Sequence, residues 1–152
     1  MVPRKGCVKS MEKIMNETTC DISDKLHPDV QYLEPVYKIY GAKTSFSGRI
    51  VTVKCYEDNS LVEEALKGNG KESVLVIDAG GSMNCAMLGD KRAADAINNE
   101  WEGIIVHGLV RDSVAINGME IGIRALGVCP LKSIKNGVGD SSLIVNFSGV
   151  TF

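Results

Sequence analysis

Two apolar runs with a glycine-rich turn and a helical stretch between them constrain this chain most. Ser73–Ile77 is apolar at every position after its first, which suits a strand covered on both faces. The loop Asp78-Ala79-Gly80-Gly81-Ser82 follows directly. Lys91–Trp101 then carries Ala94, Ile97 and Trp101 at helical spacing and stops before Gly103. Gly103–His107 reads as a second buried strand. Strand, helix and strand in this order form a βαβ unit, whose crossover is expected to be right-handed. Composition agrees: aromatics are 5% and glycines number 16, so the core must come from small aliphatic residues joined by tight turns. That balance favours an α/β fold over a helix bundle.

The remaining elements are shorter. Thr19–Leu26 reads as a helix capped by Thr18 or Thr19 and stopped before Pro28. Arg49–Cys55 alternates and is rich in Val, Ile and Thr, the pattern of a strand. Ser60–Lys67 is a short helix ending at Gly68. Ile121–Pro130 and Ser142–Phe152 are expected to be strands, separated by the turn-rich stretch 135–140. Residues 1–16 are polar and mixed, and are expected to form a flexible N-terminal extension to a single α/β domain over 17–152. A strand that runs into the last residue suggests a natural chain continuing past Phe152.

Several function classes are disfavoured. The formal net charge is -2, and neither a basic stripe nor interleaved aromatics appear, so direct nucleic-acid binding is not expected. The apolar stretches are too short to cross a bilayer, and no apolar signal core follows the basic start. A cytoplasmic protein without a membrane partner is the expectation. Five scattered cysteines, no Cys-x-x-Cys pair and two histidines argue against a disulfide framework or a zinc site. Any metal would have to be hard and oxygen-bound.

Three places could carry chemistry. The loop at Gly80 and Gly81 faintly resembles the glycine-rich loop of adenosylmethionine-dependent methyltransferases, but a tight βα turn is the favoured reading. Gly89-Asp90 opens a helix. Asp is a favoured N-cap there, or the free N–H groups of Lys91 and Arg92 hold a substrate carboxylate. Arg111-Asp112 lies just past a buried strand, where ligands of open α/β sheets bind. The Arg fork suits a carboxylate or keto oxygen and the Asp suits a divalent cation, whereas an ordinary surface ion pair is the simpler alternative. His107 could act as a general acid or base, but a packed, hydrogen-bonded role is favoured. Cys85 has no basic neighbour in sequence to activate it.

Asp90 is followed by Lys91–Val110, which is 20 residues, and then by Arg111-Asp112. Around this spacing stand Glu34-Pro35-Val36, Gly48–Lys54, Val76–Ser82, Trp101-Glu102-Gly103 and Val145–Phe152. With these motifs the chain resembles, from Thr19 to Phe152, the regulators of ribonuclease activity A and their relatives, the class II 4-hydroxy-4-methyl-2-oxoglutarate aldolases. The resemblance implies a compact swivelling β/β/α fold, like the phosphohistidine domain, assembled as a trimeric ring or a hexamer with active sites at subunit boundaries. It implies that Gly89, Asp90, Lys91 and Arg92 contact a small 2-oxo acid substrate and that Arg111 binds its pyruvoyl part. It further implies that Asp112 holds a divalent metal, Mg or Mn, while Asp90 positions water on that metal.

Two departures stand out. Catalytic members carry an acidic residue where this chain has Ala115, and they continue past the final strand to another acidic residue. Asp58-Asn59 and Asn146–Phe152 look more like the regulators, which commonly lack the Arg-Asp pair. Two functions therefore follow from the resemblance. One is a metal-dependent lyase that releases pyruvate and decarboxylates oxaloacetate through a pyruvate enolate. The other is a non-catalytic inhibitor that binds an RNase E-type endoribonuclease or its RNA helicase partner.

Overall fold

Four parallel strands form the centre of a sheet: β2 (Arg49–Lys54), β3 (Ser73–Asp78), β5 (Gly103–Val110) and β6 (Ile123–Val128). Short antiparallel strands flank them, β1 (Lys38–Tyr40) on β6 and β7 (Asp140–Ser141) on β2, giving the order β1-β6-β5-β3-β2-β7. This is a computed structural model, and it describes residues 17–152. The extension expected over residues 1–16 lies outside the described residues. The chain divides into two compact units, one ending at Tyr32 and one running from Leu33 to Phe152.

The first unit holds α1 (Thr19–Leu26). Thr18 is its N-cap and forms a capping box: the Thr18 hydroxyl accepts from Asp21 N at 3.2 Å, and the Asp21 carboxylate accepts from Thr18 N at 3.1 Å. The helix ends at Leu26, before a cis His27-Pro28 bond.

In the second unit the chain crosses the sheet in one direction, from β2 through β3 and β5 to β6. Crossovers of one hand then place the intervening helices on one face. Accordingly α2 (Ser60–Lys67) packs beside α3 (Asp90–Asn98), and α3 beside α4 (Ser113–Asn117). Their apolar side chains Val62, Leu66, Ala93, Ala96 and Ile116 meet Leu75, Ile77, Ile104, Val106 and Ile123 of the sheet. Val74 and Val76 point the other way, into a second core with Val145, Phe147, Phe46 and Ile105. That face is covered by the hairpin of β8 (Asn146–Phe147) and β9 (Val150–Thr151). Helices, sheet and hairpin stack as the expected β/β/α layers, and every residue of β3 is buried, as its unbroken apolar run implied.

Several elements differ from expectation for local reasons. The strand expected to stop at His107 runs on to Val110. Gly108 does not end it. A Cβ there would come within 2.9 Å of the Ala79 Cβ, so glycine lets β5 pass close beneath the glycine loop. Past that point β5 exchanges β3 for β4 (Ala86–Leu88) as its neighbour. The helix expected over Lys91–Trp101 begins at Asp90 and ends at Asn98. Its buried residues are Ala93 and Ala96, small enough to bring the helix close to the sheet, not Ala94, Ile97 and Trp101. Trp101 leaves the helix and covers Gly70, where a Cβ would lie 2.1 Å from the Trp101 Cγ.

Ser142–Phe152 is not one strand: Ser142 and Leu143 bond to Thr52 of β2, and Val145–Phe152 forms a hairpin. Ser148 and Gly149 both have positive φ, at 47° and 79°, which is what a two-residue turn matching the sheet twist requires. The stretch 135–140 ends in β7. Among the described residues no helix is long and apolar enough to cross a membrane.

Candidate functional site

Loops leaving the carboxyl ends of β2, β4, β5 and β6 surround one cavity of about 260 Å³. Gly89, Asp90, Lys91, Arg92, Arg111 and Asp112 all line it, so the two motifs separated by 20 residues in sequence meet in space. Asn59, Lys132, Ser133 and Lys135 complete the wall. Sequence reasoning missed these four. Their signal was the same one that marked Arg111: each follows the carboxyl end of a parallel strand.

The join between the motifs is tight. Arg111 N donates to Leu88 O at 2.9 Å, which ties the end of β5 to the end of β4. Asp112 is the N-cap of α4 in the left-handed region, at φ 53°, and its side chain makes no capping bond. The carboxylate instead accepts from Arg111 Nε at 3.1 Å. Gly89 leaves the space that both occupy. A Cβ on Gly89 would lie 2.8 Å from Asp112 Oδ2 and 3.0 Å from Arg111 Cγ.

At the start of α3 the details shift slightly. Gly89 is the N-cap and Asp90 is the first helical residue, so Asp90 does not cap. Its carboxylate accepts from Lys91 N at 2.7 Å, which occupies one of the two N–H groups expected to meet substrate. The Arg92 N–H remains one of the first-turn donors beyond the reach of helix carbonyls.

The cavity is strongly cationic. Five basic side chains line it against two carboxylates. Arg92 is held by Glu63 at 2.5 Å and Asp95 at 2.8 Å, and Lys135 also pairs with Glu63. Lys135, Lys67 and Arg92, all bonded to Glu63, hold its carboxyl well below the usual range. Asp58 fixes the neighbouring turn by accepting from Ser60 N at 2.9 Å, Asn136 N at 2.7 Å and Val138 N at 3.1 Å. Burial alone would raise the Asp58 pKa, but bonds from Ser60, Val138 and Asn136 together outweigh it and hold the group ionised. Lys91 and Lys132 have no ion-pair partner among the described residues.

The donors facing the cavity are oxygens. Among the described residues no group of three His, Cys, Asp or Glu forms a metal cage. Asp112 and Asp90 can supply one or two carboxylates, which suits Mg²⁺ or Mn²⁺ that keeps most of its water. Ala115 is exposed on α4 and adds no ligand.

His107 and Cys85 serve packing. His107 Nδ1 bonds to the Tyr37 hydroxyl at 2.8 Å, and its ring stacks on Phe147 at 4.6 Å between centroids. Burial lowers its pKa, partly opposed by Asp78 and Glu34. Cys85 is buried, and burial raises its thiol pKa, the reverse of what a nucleophile needs. At the glycine loop, added Cβ atoms would meet the Tyr56 ring at 3.0 Å and His107 Nε2 at 3.1 Å. Protein side chains fill that space, as a tight βα turn requires.

Residues 19–152 match the model of the RraA-like family, described as aldolase/RraA. A protein of Aromatoleum aromaticum with the provisional name 4-hydroxy-4-methyl-2-oxoglutarate aldolase is 50% identical over 138 residues, covering 91% of this chain and 87% of its own. A protein of Dechloromonas aromatica with the same provisional name is 52% identical over 134 residues, covering 88% and 82%. Among solved structures, the RNA-processing inhibitor RraA from Thermus superposes with a TM-score of 0.86 at 37% identity, covering 91% and 84%. A Geobacillus kaustophilus protein described as an S-adenosylmethionine:2-dimethylmenaquinone methyltransferase gives 0.86 at 42% identity, covering 89% and 84%. On the family match and these identities, the chain belongs to the aldolase/RraA family.

Proposed function

We propose that this protein is a lyase that cleaves a 4-hydroxy-4-methyl-2-oxoglutarate-type substrate to pyruvate and also decarboxylates oxaloacetate. The observation that carries this reading is the packing of Arg111 and Asp112 against Gly89, in one cavity with Asp90. Both reactions need the same electronic help. Breaking the C3–C4 bond, or losing the C4 carboxylate as CO₂, leaves an electron pair on C3 that delocalises onto the C2 oxygen. In the cleavage the C4 hydroxyl gives up its proton and becomes a ketone, and C3 is then protonated, so two pyruvates form.

The residues divide this work. Arg111 presents a planar fork to the 2-oxo acid end, and its charge stabilises the developing enolate oxygen. The first turn of α3 receives the substrate carboxylate, with the Arg92 N–H and the helix dipole favouring the anion. Asp112 would hold a divalent ion, with Asp90 orienting water beside it. When bound, that ion supplies Lewis-acid stabilisation of the same enolate charge.

The test is pyruvate release, followed with a coupled reductase, with Mg²⁺ or Mn²⁺ present. Asp112→Ala is expected to abolish metal-stimulated turnover of both substrates with the fold retained. Arg111→Lys keeps the charge but loses the fork, and should lower the rate by about 10²–10³. Full activity in Asp112→Ala, or none in the wild type, overturns the proposal.

The Thermus relative described as an RNA-processing inhibitor favours a second reading, in which the chain restrains an endoribonuclease or helicase by protein contact. Co-purification with such an enzyme and inhibition of its cleavage by the Asp112→Ala variant would support that role.

A further inference from the structure

Behind the cavity, one carboxylate joins three segments of the chain. Glu63 of α2 bonds Lys67 of the same helix at 2.6 Å, Arg92 of α3 at 2.5 Å, and Lys135 of the segment after β6. Arg92 also pairs with Asp95 of its own helix at 2.8 Å. The Arg92 and Glu63 side chains are 16% and 21% exposed, so solvent and salt screen this pair less than an ordinary surface bridge. Arg92 and Lys135 line the cavity, whereas Glu63 and Lys67 do not.

The segment 134–138 is fastened to the head of α2. Ile134 N donates to Glu57 O at 3.1 Å, Gly137 N donates to the Ser60 hydroxyl at 3.1 Å, and Asp58 accepts from Asn136 N and Val138 N. At their carboxyl ends α2 and α3 are joined by Asn99 Nδ2, which donates to Leu66 O at 3.0 Å. Nearer the cavity, Glu63 and Arg92 join the same two helices. Arg111 and Asp112 are held separately, by the bond from Arg111 N to Leu88 O and by each other.

We propose that Glu63 is a positioning residue that sets the spacing between the first turn of α3 and the 132–135 wall of the cavity, acting through Arg92 and Lys135. Its effect on the reaction rests on the lyase reading, in which that first turn receives the substrate carboxylate. A carboxylate bound away from the breaking bond is held equally in the ground state and the transition state, so loosening its seat raises KM and spares kcat. Arg111 and Asp112 stabilise the developing charge, and their own contacts do not involve Glu63. A mere counter-charge at Glu63 would act the other way. It would weaken anion binding by offsetting two cavity cations, and its removal would lower KM. The two roles therefore differ in the sign of one measurable quantity.

Three variants of the full-length protein test this. Glu63→Gln keeps the size of the side chain and removes its charge. It is expected to raise KM for 4-hydroxy-4-methyl-2-oxoglutarate by about tenfold, with kcat within about threefold of the wild type. Lys135→Met should raise KM in the same direction. Lys67→Met removes a similarly exposed partner of the same carboxylate that does not reach the cavity, and should leave KM unchanged within about twofold. Amide hydrogen exchange gives a reading independent of turnover. Residues 132–138 should exchange about fivefold faster or more in Glu63→Gln and Lys135→Met but not in Lys67→Met, and the first turn of α3 should do so in Glu63→Gln. A lower KM in Glu63→Gln, or equal effects of Lys67→Met and Lys135→Met, overturns the positioning role. Turnover whose KM ignores Glu63→Gln, with exchange unchanged, removes that role and leaves the lyase reading. Faster exchange in the two variants, without turnover by the wild type, removes the lyase reading and leaves the positioning role.

Discussion

Gly89 shows how a single missing side chain can organise a site. Its φ of -132° is open to any residue, so substitution would strain no backbone there. The obstacle is only the Arg111–Asp112 pair that fills its Cβ position. Gly89→Ala is therefore expected to displace that pair and lower kcat by about tenfold or more, because a misplacement of about 1 Å can cost 10²-fold. The melting temperature should hardly move. A Gly89→Ala enzyme with wild-type kcat would show that the close packing is incidental. Asp58 is the structural counterpart. Its removal strands three backbone N–H groups at once, and Asp58→Ala should cost about 3 kcal/mol or more in denaturant unfolding. Because the folded-state pKa of Asp58 is depressed, its stabilisation is complete above the unfolded carboxyl pKa and is lost as pH falls below that value. The variant should thus show a flatter acid limb in a stability–pH profile.

The β8–β9 hairpin and the end of α3 each depend on one close packing arrangement. Phe147 of the hairpin stacks on His107 of β5, with Tyr37 bonded to the imidazole. Burial disfavours the charged ring, so His107 binds a proton more weakly folded than unfolded. Stability is then full above the ordinary His pKa and falls as pH drops through it toward the lowered folded value. His107→Gln is expected to remove that component of the acid sensitivity, read from thermal melts between about pH 7 and 5. At the other end of the sheet, Gly70 lies under the Trp101 ring. Gly70→Ala forces the indole outward and should cost about 2 kcal/mol, detectable as a lower melting temperature and increased Trp fluorescence quenching by iodide. An unchanged melt would mean that the 99–102 turn yields freely.

Across the whole molecule, two properties bear on assembly and partners. Val128, Leu131, Ile134 and Val138 are each at least half exposed and lie on the segment that walls the cavity. Exposed apolar side chains grouped beside a site are typical of interaction surfaces. Together with the trimeric ring implied by the resemblance, this leads us to expect a homotrimer, or a hexamer of two trimers, by light scattering. A stable monomer at micromolar concentration would contradict it. The formal charge of -2 gives no general attraction to phosphate backbones, so bare RNA should not bind tightly. Tight binding that weakens steeply with salt would reverse that expectation.

Local pattern alone determined the α/β class, the helices at Thr19–Leu26 and Ser60–Lys67, and the doubly buried β3, because each has strong periodicity or clear caps. The spacing from Asp90 to Arg111-Asp112, with the family resemblance, also marked candidate residues that the fold brings to one cavity. Strands of two or three residues, such as β1, β4 and β7, carry too few positions for a period to register, and their backbone bonds are made to partners distant in sequence. The extension of β5 past Gly108 depended on the proximity of Ala79, which no local window contains. Asn59 and Ser133 reached the cavity wall only when the loops after β2 and β6 closed over β4. Sequence specifies which groups a segment carries. Only the packed chain decides which of those groups come together around one cavity.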